Sequence, residues 1–130
     1  MAASDPLPAG GRVLVIEDEQ DVLDLLGTHL GRLGYRVTGA MSGEEGLALA
    51  LADPPDMILV DMRLPGIHGE EVIRRLRADP DTRDCSIVLC SVLDPPDLTQ
   101  VPVDAVLAKP FNRAAVAQVV QQVRDRRRGP

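Results

Sequence analysis

The chain has 130 residues, 45% of them hydrophobic, and a formal net charge of -6 at pH 7. This length predicts one domain with one core, and the charge argues against a nucleic-acid partner, which would need clustered lysine and arginine. The one basic run, Arg124 to Arg128, is short and contains Asp125, so we interpret it as the solvated last turn of a helix. No apolar stretch has the length of a membrane span, and we expect no membrane partner.

The N-terminal segment and the two cysteines indicate a cytoplasmic protein. Residues 1–11 lack a charged start followed by an apolar segment, so we expect a disordered leader rather than a signal peptide. Cys85 and Cys90 belong to no CxxC motif and have no histidine nearby, and we expect reduced, partly buried thiols. We assign 12–124 to the folded domain and 125–130 to a short basic tail.

Short apolar runs alternate with amphipathic stretches along the chain. The apolar runs predict five strands, Arg12–Ile16, Tyr35–Ala40, Met57–Val60, Ser86–Cys90 and Ala105–Ala108. The amphipathic stretches predict helices over Asp21–Leu33, about 42–52, Gly69–Arg77 and Arg113–Arg127. Gly34 is expected to end the first helix, and Ser42 to Glu45 has the form of a capping box that begins the second.

The first, third and fourth predicted strands are apolar throughout rather than alternating. Such strands are buried on both faces, which predicts a parallel sheet covered by helices on each side. We therefore expect an α/β protein with a doubly wound five-stranded parallel sheet in the flavodoxin-like order 2-1-3-4-5. Ligands of such sheets bind beyond the carboxyl ends of the strands, near the switch point between strands 1 and 3.

Polar side chains follow four of the five predicted strands. Glu17 and Asp18 come after the first strand, Asp61 after the third, Ser91 after the fourth and Lys109 after the fifth. Lys109 is the single lysine of a chain with thirteen arginines. Three neighbouring carboxylates suit a hard divalent cation with oxygen ligands, and Mg²⁺ is the first choice. In such a site a carboxylate can attack a phosphoryl group, while a hydroxyl and an ammonium hold the phosphoryl oxygens.

Together these residues resemble the receiver domain of two-component response regulators. The resemblance covers about 12–124, nearly the whole chain. It rests on Glu17-Asp18, Asp61 with Pro65-Gly66 and Gly69, Ser91, and Lys109-Pro110-Phe111. Any one of these motifs is weak, and their specificity comes from finding all of them in order, each at a strand end.

The resemblance implies a role for each residue of the group. Asp61 would accept the phosphoryl group, Ser91 would be the switch hydroxyl, and Lys109 would bind the phosphate. The phosphoryl group would come from a sensor histidine kinase or a histidine phosphotransfer protein. The chain would catalyse only its own phosphorylation and dephosphorylation, so we do not expect an enzyme that acts on a separate substrate.

The resemblance also implies a Mg²⁺ site. Asp18 and Asp61 would bind the ion directly, Glu17 would bind it through water, and the backbone carbonyl of Arg63 would be a further ligand. We expect Glu19 to lie outside this shell as a helix-start acid. His29 and His68 are interpreted as ordinary surface residues.

Each site residue has a simpler interpretation when taken alone. Glu17 and Asp18 could be solvated acids at the start of a helix, Asp61 a turn former and Ser91 a helix cap. Two other functions also stay open. One is a pseudo-receiver that docks partners without phosphorylation. The other is a Mg²⁺-dependent aspartyl phosphohydrolase, although such enzymes commonly carry a second Asp where this chain has Arg63.

The segment between the fourth and fifth strands departs from the family. Eighteen positions separate Ser91 from Lys109, about one helical turn fewer than the family usually has. A DPPD motif occupies 94–97 and Pro102 interrupts the segment again, so Asp97–Gln100 can form at most about one turn. We predict that the family's fourth helix is short or missing.

A second departure lies on the fifth strand. Receivers usually place Tyr or Phe three residues before the lysine, and here that residue is Val106. The only aromatic residues, Tyr35 and Phe111, cannot fill this place. We expect an atypical readout surface on the fourth helix, fifth strand and fifth helix, in a single-domain protein that signals to an unknown downstream protein. The alternative that the chain is a piece of a longer protein stays open.

Overall fold

A computed structural model describes residues 10–92 and 102–128. In these two ranges the strands are β1 Arg12–Ile16, β2 Arg36–Ala40, β3 Met57–Asp61, β4 Ser86–Ser91 and β5 Ala105–Ala108. The helices of the same ranges are α1 Gln20–Arg32, α2 Gly43–Ala52, α3 Gly69–Ala78 and α4 Arg113–Arg128. None of these helices is long and apolar enough to cross a membrane.

The five strands form one parallel sheet in the order β2-β1-β3-β4-β5. This order confirms the predicted doubly wound fold. The physical reason is the burial of the central strands, because every residue of β3 and β4 is buried and only the first residue of β1 is partly exposed. Strands buried on both faces require helices on both sides of the sheet.

Alternate residues of the strands contribute to two separate cores. Val13 and Val15 of β1 belong to the core between the sheet and α1 and α4. Leu14 and Ile16 belong to the core between the sheet and α2 and α3. This alternation follows from the two-residue period of a strand. It also fixes which side of the sheet each strand residue faces.

Local signals at the helix ends act largely as the sequence predicts. Gly34, with φ +96°, takes the left-handed conformation after the end of α1. The Ser42 hydroxyl accepts a hydrogen bond from the Glu45 amide, which caps the start of α2. The Glu45 carboxylate accepts from the amide of Met41 rather than from that of Ser42, at 2.7 Å. The predicted capping box therefore closes one residue earlier than the usual pattern.

Some predictions fall on residues outside the described ranges. Residues 1–9 of the leader predicted over 1–11 and the short or missing helix at 97–100 are among them. The described residues that flank the latter segment, Val92 and 102–104, contain no helix. At the other end of the chain, α4 continues through 125–128, so the segment that we assigned to a basic tail begins as helix.

Arg77 ties the end of α3 to the start of β4 and to the approach to β5. Its guanidinium donates hydrogen bonds to the carbonyl oxygens of Arg83, Cys85 and Pro102 and to the Asp104 carboxylate. The Asp104 carboxylate also accepts from the Ile87 amide at 2.7 Å. Because both charged side chains are largely shielded from water, with 21% and 12% of their surfaces exposed, this network fixes where the chain re-enters the sheet.

Replacing Arg77 by Ala should lower the free energy of unfolding by about 2–3 kcal/mol, because it leaves Asp104 and several carbonyl groups without their donor. Arg74→Ala is the matched control on the same helix, since its ion pair with Glu70 is exposed. The control should cost only about 0.3–0.5 kcal/mol. Urea denaturation measures both changes, and equal losses would show that the Arg77 network contributes no more than a surface pair.

Candidate functional site

The carboxyl ends of the parallel strands bring the predicted site residues to one edge of the sheet. Glu17 and Asp18 directly follow β1, Asp61 ends β3, Ser91 ends β4 and Lys109 directly follows β5. Because β1 and β3 are neighbours and β3 lies next to β4, the side chains at these ends converge. The structure thus brings all five together, as the sequence predicts.

Three carboxylates form the centre of the site. Oxygen atoms of Glu17, Asp18 and Asp61 all lie within 4.8 Å of one another, close enough to hold one metal ion. Glu17 and Asp61 are buried, with 1% and 6% of their surfaces exposed, whereas Asp18 is partly exposed. Backbone amides support two of these groups, since Glu19 donates to Glu17 at 3.1 Å and Arg63 donates to Asp61 at 3.3 Å.

Lys109 places one positive charge against this cluster. Its Nζ lies 2.8 Å from Oε1 of Glu17 and 3.4 Å from Oδ1 of Asp61. Its backbone amide donates to the carbonyl oxygen of Ser91 at 2.9 Å, which links the ends of β4 and β5. The peptide bond that joins Lys109 to Pro110 is cis.

The pKa shifts of this group follow from burial and from its charge. Burial raises the pKa of the Glu17 carboxyl above its usual value, against the hydrogen bonds from Lys109 and from the Glu19 amide. Burial also lowers the pKa of Lys109, but the hydrogen bond to Glu17 and the charge of Asp61 outweigh it and raise the net pKa. The ammonium is therefore held firmly charged, while three carboxylates share a single positive neighbour.

An open cleft of about 240 Å³ gives access to the site. Its walls are formed at the carboxyl ends of β1, β3, β4 and β5 by the residues Asp18, Glu19, Asp61, Met62, Arg63, Ser91, Val92 and Lys109. Ser91 is buried at 3% exposure yet contributes to the cleft wall. Arg63 and Glu19 are exposed and stand at the mouth. A small anion can therefore reach Asp61 from solvent.

Gly69 is the residue that lets α3 begin beside Asp61. A Cβ atom at this position would lie 2.2 Å from the carbonyl oxygen of Asp61, closer than any real contact. The Gly69 amide donates to the carbonyl oxygen of Met62 at 3.1 Å. The sequence pattern included Gly69, but its contact with the end of β3 could not be predicted from spacing alone.

Several residues considered from the sequence do not join the carboxylate cluster. His68 is the exposed N-cap residue of α3 and makes no side-chain cap. The His29 ring packs edge-on against Phe111, with centroids 6.4 Å apart. Val106 is half-buried and packs against the core formed with α2 and α3. Glu19 has a role that the sequence did not suggest, because its backbone amide donates a hydrogen bond that orients the Glu17 carboxylate.

The cysteines are both buried as free thiols. Cys90 lies opposite Asp61 in the register of β3 and β4. Burial raises the pKa of the Cys90 thiol to about 12, so it stays neutral beside the charged site. It is therefore a packing residue beneath the cleft rather than a nucleophile.

The fold and the site define a class of protein, one with a doubly wound α/β sheet and an acidic cleft at the carboxyl edge of that sheet. The family model for the response regulator receiver domain matches residues 13–121, and the chain belongs to this family. Response regulator PleD of Caulobacter vibrioides is 42% identical over 83 residues, covering 64% of this chain and 18% of PleD. The phosphate regulon transcriptional regulatory protein PhoB of Pseudomonas aeruginosa is 31% identical over 126 residues, covering 93% of this chain and 54% of PhoB.

Solved structures show the same fold. Chemotaxis protein CheY4 of Vibrio cholerae has a TM-score of 0.83 at 27% identity, over 88% of this chain and 99% of that chain. The receiver domain of sensor histidine kinase PA1611 from Pseudomonas aeruginosa has a TM-score of 0.80 at 31% identity, over 88% of this chain and 97% of that chain. That structure carries a magnesium ion coordinated in its active site cleft.

Gly69→Ala should destabilise the protein by about 1–3 kcal/mol, because the added methyl group collides with the backbone at the end of β3. Gly31→Ala is the control, since a Cβ atom there meets nothing within 4 Å inside α1. That change should stabilise the protein by roughly 0.5–1 kcal/mol through helix propensity. Thermal and urea unfolding measure both, and a neutral Gly69→Ala would contradict the close approach of α3 to Asp61.

Proposed function

We propose that this chain accepts a phosphoryl group on Asp61 from the phosphohistidine of a sensor histidine kinase or a histidine phosphotransfer protein. The observation that carries the proposal is the position of Asp61. Its carboxylate belongs to the acidic cluster, lies 3.4 Å from the Lys109 ammonium and lines an open cleft. Family membership supports the same chemistry.

In the proposed transfer, a carboxylate oxygen of Asp61 forms a bond to phosphorus. The bond between phosphorus and the donor histidine nitrogen breaks, and that nitrogen keeps the electron pair. The Lys109 ammonium and the Ser91 hydroxyl hold oxygens of the transferred group. Attack of water on the aspartyl phosphate then releases inorganic phosphate and restores the Asp61 carboxylate.

The acidic cluster fits Mg²⁺ in this mechanism. Three carboxylates share one ammonium, and burial already penalises the charged form of Glu17. In the proposed site, Asp18 and Asp61 would bind the ion directly, Glu17 would bind it through water, and the carbonyl oxygen of Arg63 would complete the protein ligands. When bound, the ion supplies charge that offsets the repulsion between the carboxylates and an incoming phosphoryl group.

The proposed output is contact with a downstream protein, in the cytoplasm and without nucleic acid. The chain spans 18% of PleD and 54% of PhoB, so whatever those longer proteins do with their remaining length is not assigned to it. The half-buried Val106, in the place where the family usually has an aromatic ring, supports an atypical readout surface. The protein catalyses only its own phosphorylation and dephosphorylation.

Acetyl phosphate with Mg²⁺ should add one phosphoryl group to the protein, detected as the mass of the intact chain. Asp61→Asn should abolish the gain because it removes the acceptor carboxylate, and chelation of the metal should do the same. Repeated turnover of small phosphate esters would instead favour the phosphohydrolase. No gain with acetyl phosphate or with a phosphorylated phosphotransfer protein would favour a docking module that works without phosphorylation.

Mg²⁺ binding should depend on Asp18 more than on Glu19, which lines the same cleft. Asp18→Asn removes a direct ligand and should weaken binding by about tenfold or more in isothermal titration calorimetry. Glu19→Gln is the matched control, because it removes the same charge from the wall of the same cleft without touching the cluster. It should change the affinity by less than about threefold. Equal losses would mean that the cleft attracts the ion only through its overall charge.

A further inference from the structure

The outward face of α2 is apolar, unlike the outward faces of the other helices that the structure describes. After Glu44 and Glu45 the helix contains only glycine, alanine and leucine, yet four of these seven residues are exposed to solvent. Leu49 and Leu51 have 38% and 43% of their surfaces exposed. A helix that is apolar all round is ordinarily buried on all sides, so this face is missing a neighbour.

The helix geometry places small residues along the middle of this face and a leucine on each side of them. At 100° per residue, the exposed Ala48 and Ala52 lie one turn apart, opposite the buried Leu47 and Ala50. Leu49 and Leu51 lie on either side of this line. The small side chains along this line allow a second helix to approach closely, and the leucines can pack against its flanks.

The helix α3 provides the contrast. Its outward positions carry Glu70, Glu71, Arg74 and Arg75, which form two ion pairs spaced by one turn. That pattern is typical of a helix that faces water. The apolar face of α2 therefore does not follow from the general composition of the surface.

Charges of opposite sign lie at the two ends of this face. The acidic first turn of α2 carries Glu44 and Glu45. At the other end, Arg12 and Arg36 stand at the start of β1 and β2, on the side of the sheet that α2 covers. Arg12 pairs with Asp53 just after the helix, whereas Arg36 has no ion-pair partner within 10–92 and 102–128.

We propose that the α2 face is an interface with a second copy of this chain, in which two α2 helices pack antiparallel about a two-fold axis. This arrangement places the acidic turn of each copy beside Arg36 of the other and buries the two apolar halves against each other. The antiparallel helix dipoles favour the same orientation. A face with an acidic turn at one end and Arg36, without an ion-pair partner in the described residues, at the other is complementary to itself, which is the requirement of a two-fold interface.

A cavity beside α2 offers a place for a side chain of the second copy. It has a volume of about 150 Å³ and lies between Leu49, Thr38, Pro55 and Arg12. A space of this size accepts a group as large as benzene, so it fits one leucine side chain. We expect Leu49 or Leu51 of the second copy to occupy it, because both lie beside the line of Ala48 and Ala52 along which the two helices meet.

The expected dimer is weak. A ten-residue helix is about 15 Å long, so the interface is smaller than the roughly 800 Å² per partner of a standard complex. The dissociation constant of the dimer is therefore expected to be roughly 10–1000 µM. Sedimentation equilibrium of the full chain, without any phosphodonor, over concentrations up to about 1 mM measures it. The omission of the donor makes this test independent of the proposed phosphorylation.

The double variant Leu49→Lys/Leu51→Lys should remove the dimer, with at least a tenfold loss of association. Leu25→Lys on α1 is the matched control, because Leu25 is as exposed as Leu51 and should leave association unchanged. Glu44→Arg and Arg36→Glu should each weaken association, and the two together should restore it. Circular dichroism confirms that each variant is folded.

A wild-type chain that stays monomeric up to about 1 mM would overturn the proposal. So would a dimer that survives the α2 variant, or one that Leu25→Lys removes equally. Failure of the two charge changes to compensate would exclude the antiparallel arrangement. Binding of α2 only to a different protein would appear as a monomeric wild type and would count against a second copy as the occupant.

Discussion

The ion pair between Lys109 and Glu17 is the interaction on which the site depends. It joins the end of β1 to the end of β5, two strands that β3 and β4 separate in the sheet. The Glu17 side chain is 1% exposed and the Lys109 side chain 16% exposed, so removing either partner would leave the other charge largely shielded from water and without its ion pair. The sheet positions both groups, and the Lys109 Nζ also lies 3.4 Å from Oδ1 of Asp61.

This pair leaves an excess of negative charge beside it. One ammonium faces the carboxylates of Glu17 and Asp61, and Asp18 lies within the same cluster. A cluster built only for stability would balance its charges, since unpaired buried carboxylates cost free energy. The excess is the feature on which the proposed Mg²⁺ site rests. The fold tolerates that cost because the parallel sheet is stabilised by burial on both faces.

Much of this organisation follows from the sequence, because strand direction converts positions along the chain into positions in space. Once β1, β3, β4 and β5 are predicted as parallel strands, the residues after them must share one edge. What could not be predicted depends on the paths of the loops. Three contacts are of this kind: Gly69 against Asp61, the Glu19 amide donating to Glu17, and the Arg77 guanidinium donating to carbonyl oxygens. Each joins segments whose mutual positions no local pattern specifies.

The helix α2 connects the two surfaces for which we propose functions. Its start packs on the loop after Asp61, where a Cβ atom at Gly43 would meet Ile67 at 2.7 Å and the Glu44 carboxylate lies over Gly66. Its outward face, further along, is the proposed interface between copies. Glu44 thus belongs to both, since its charge also faces Arg36 of the second copy in the antiparallel arrangement. Under both proposals, the first turn of α2 is a short physical route that couples the cleft to the interface between copies. This route does not pass through the atypical segment before β5.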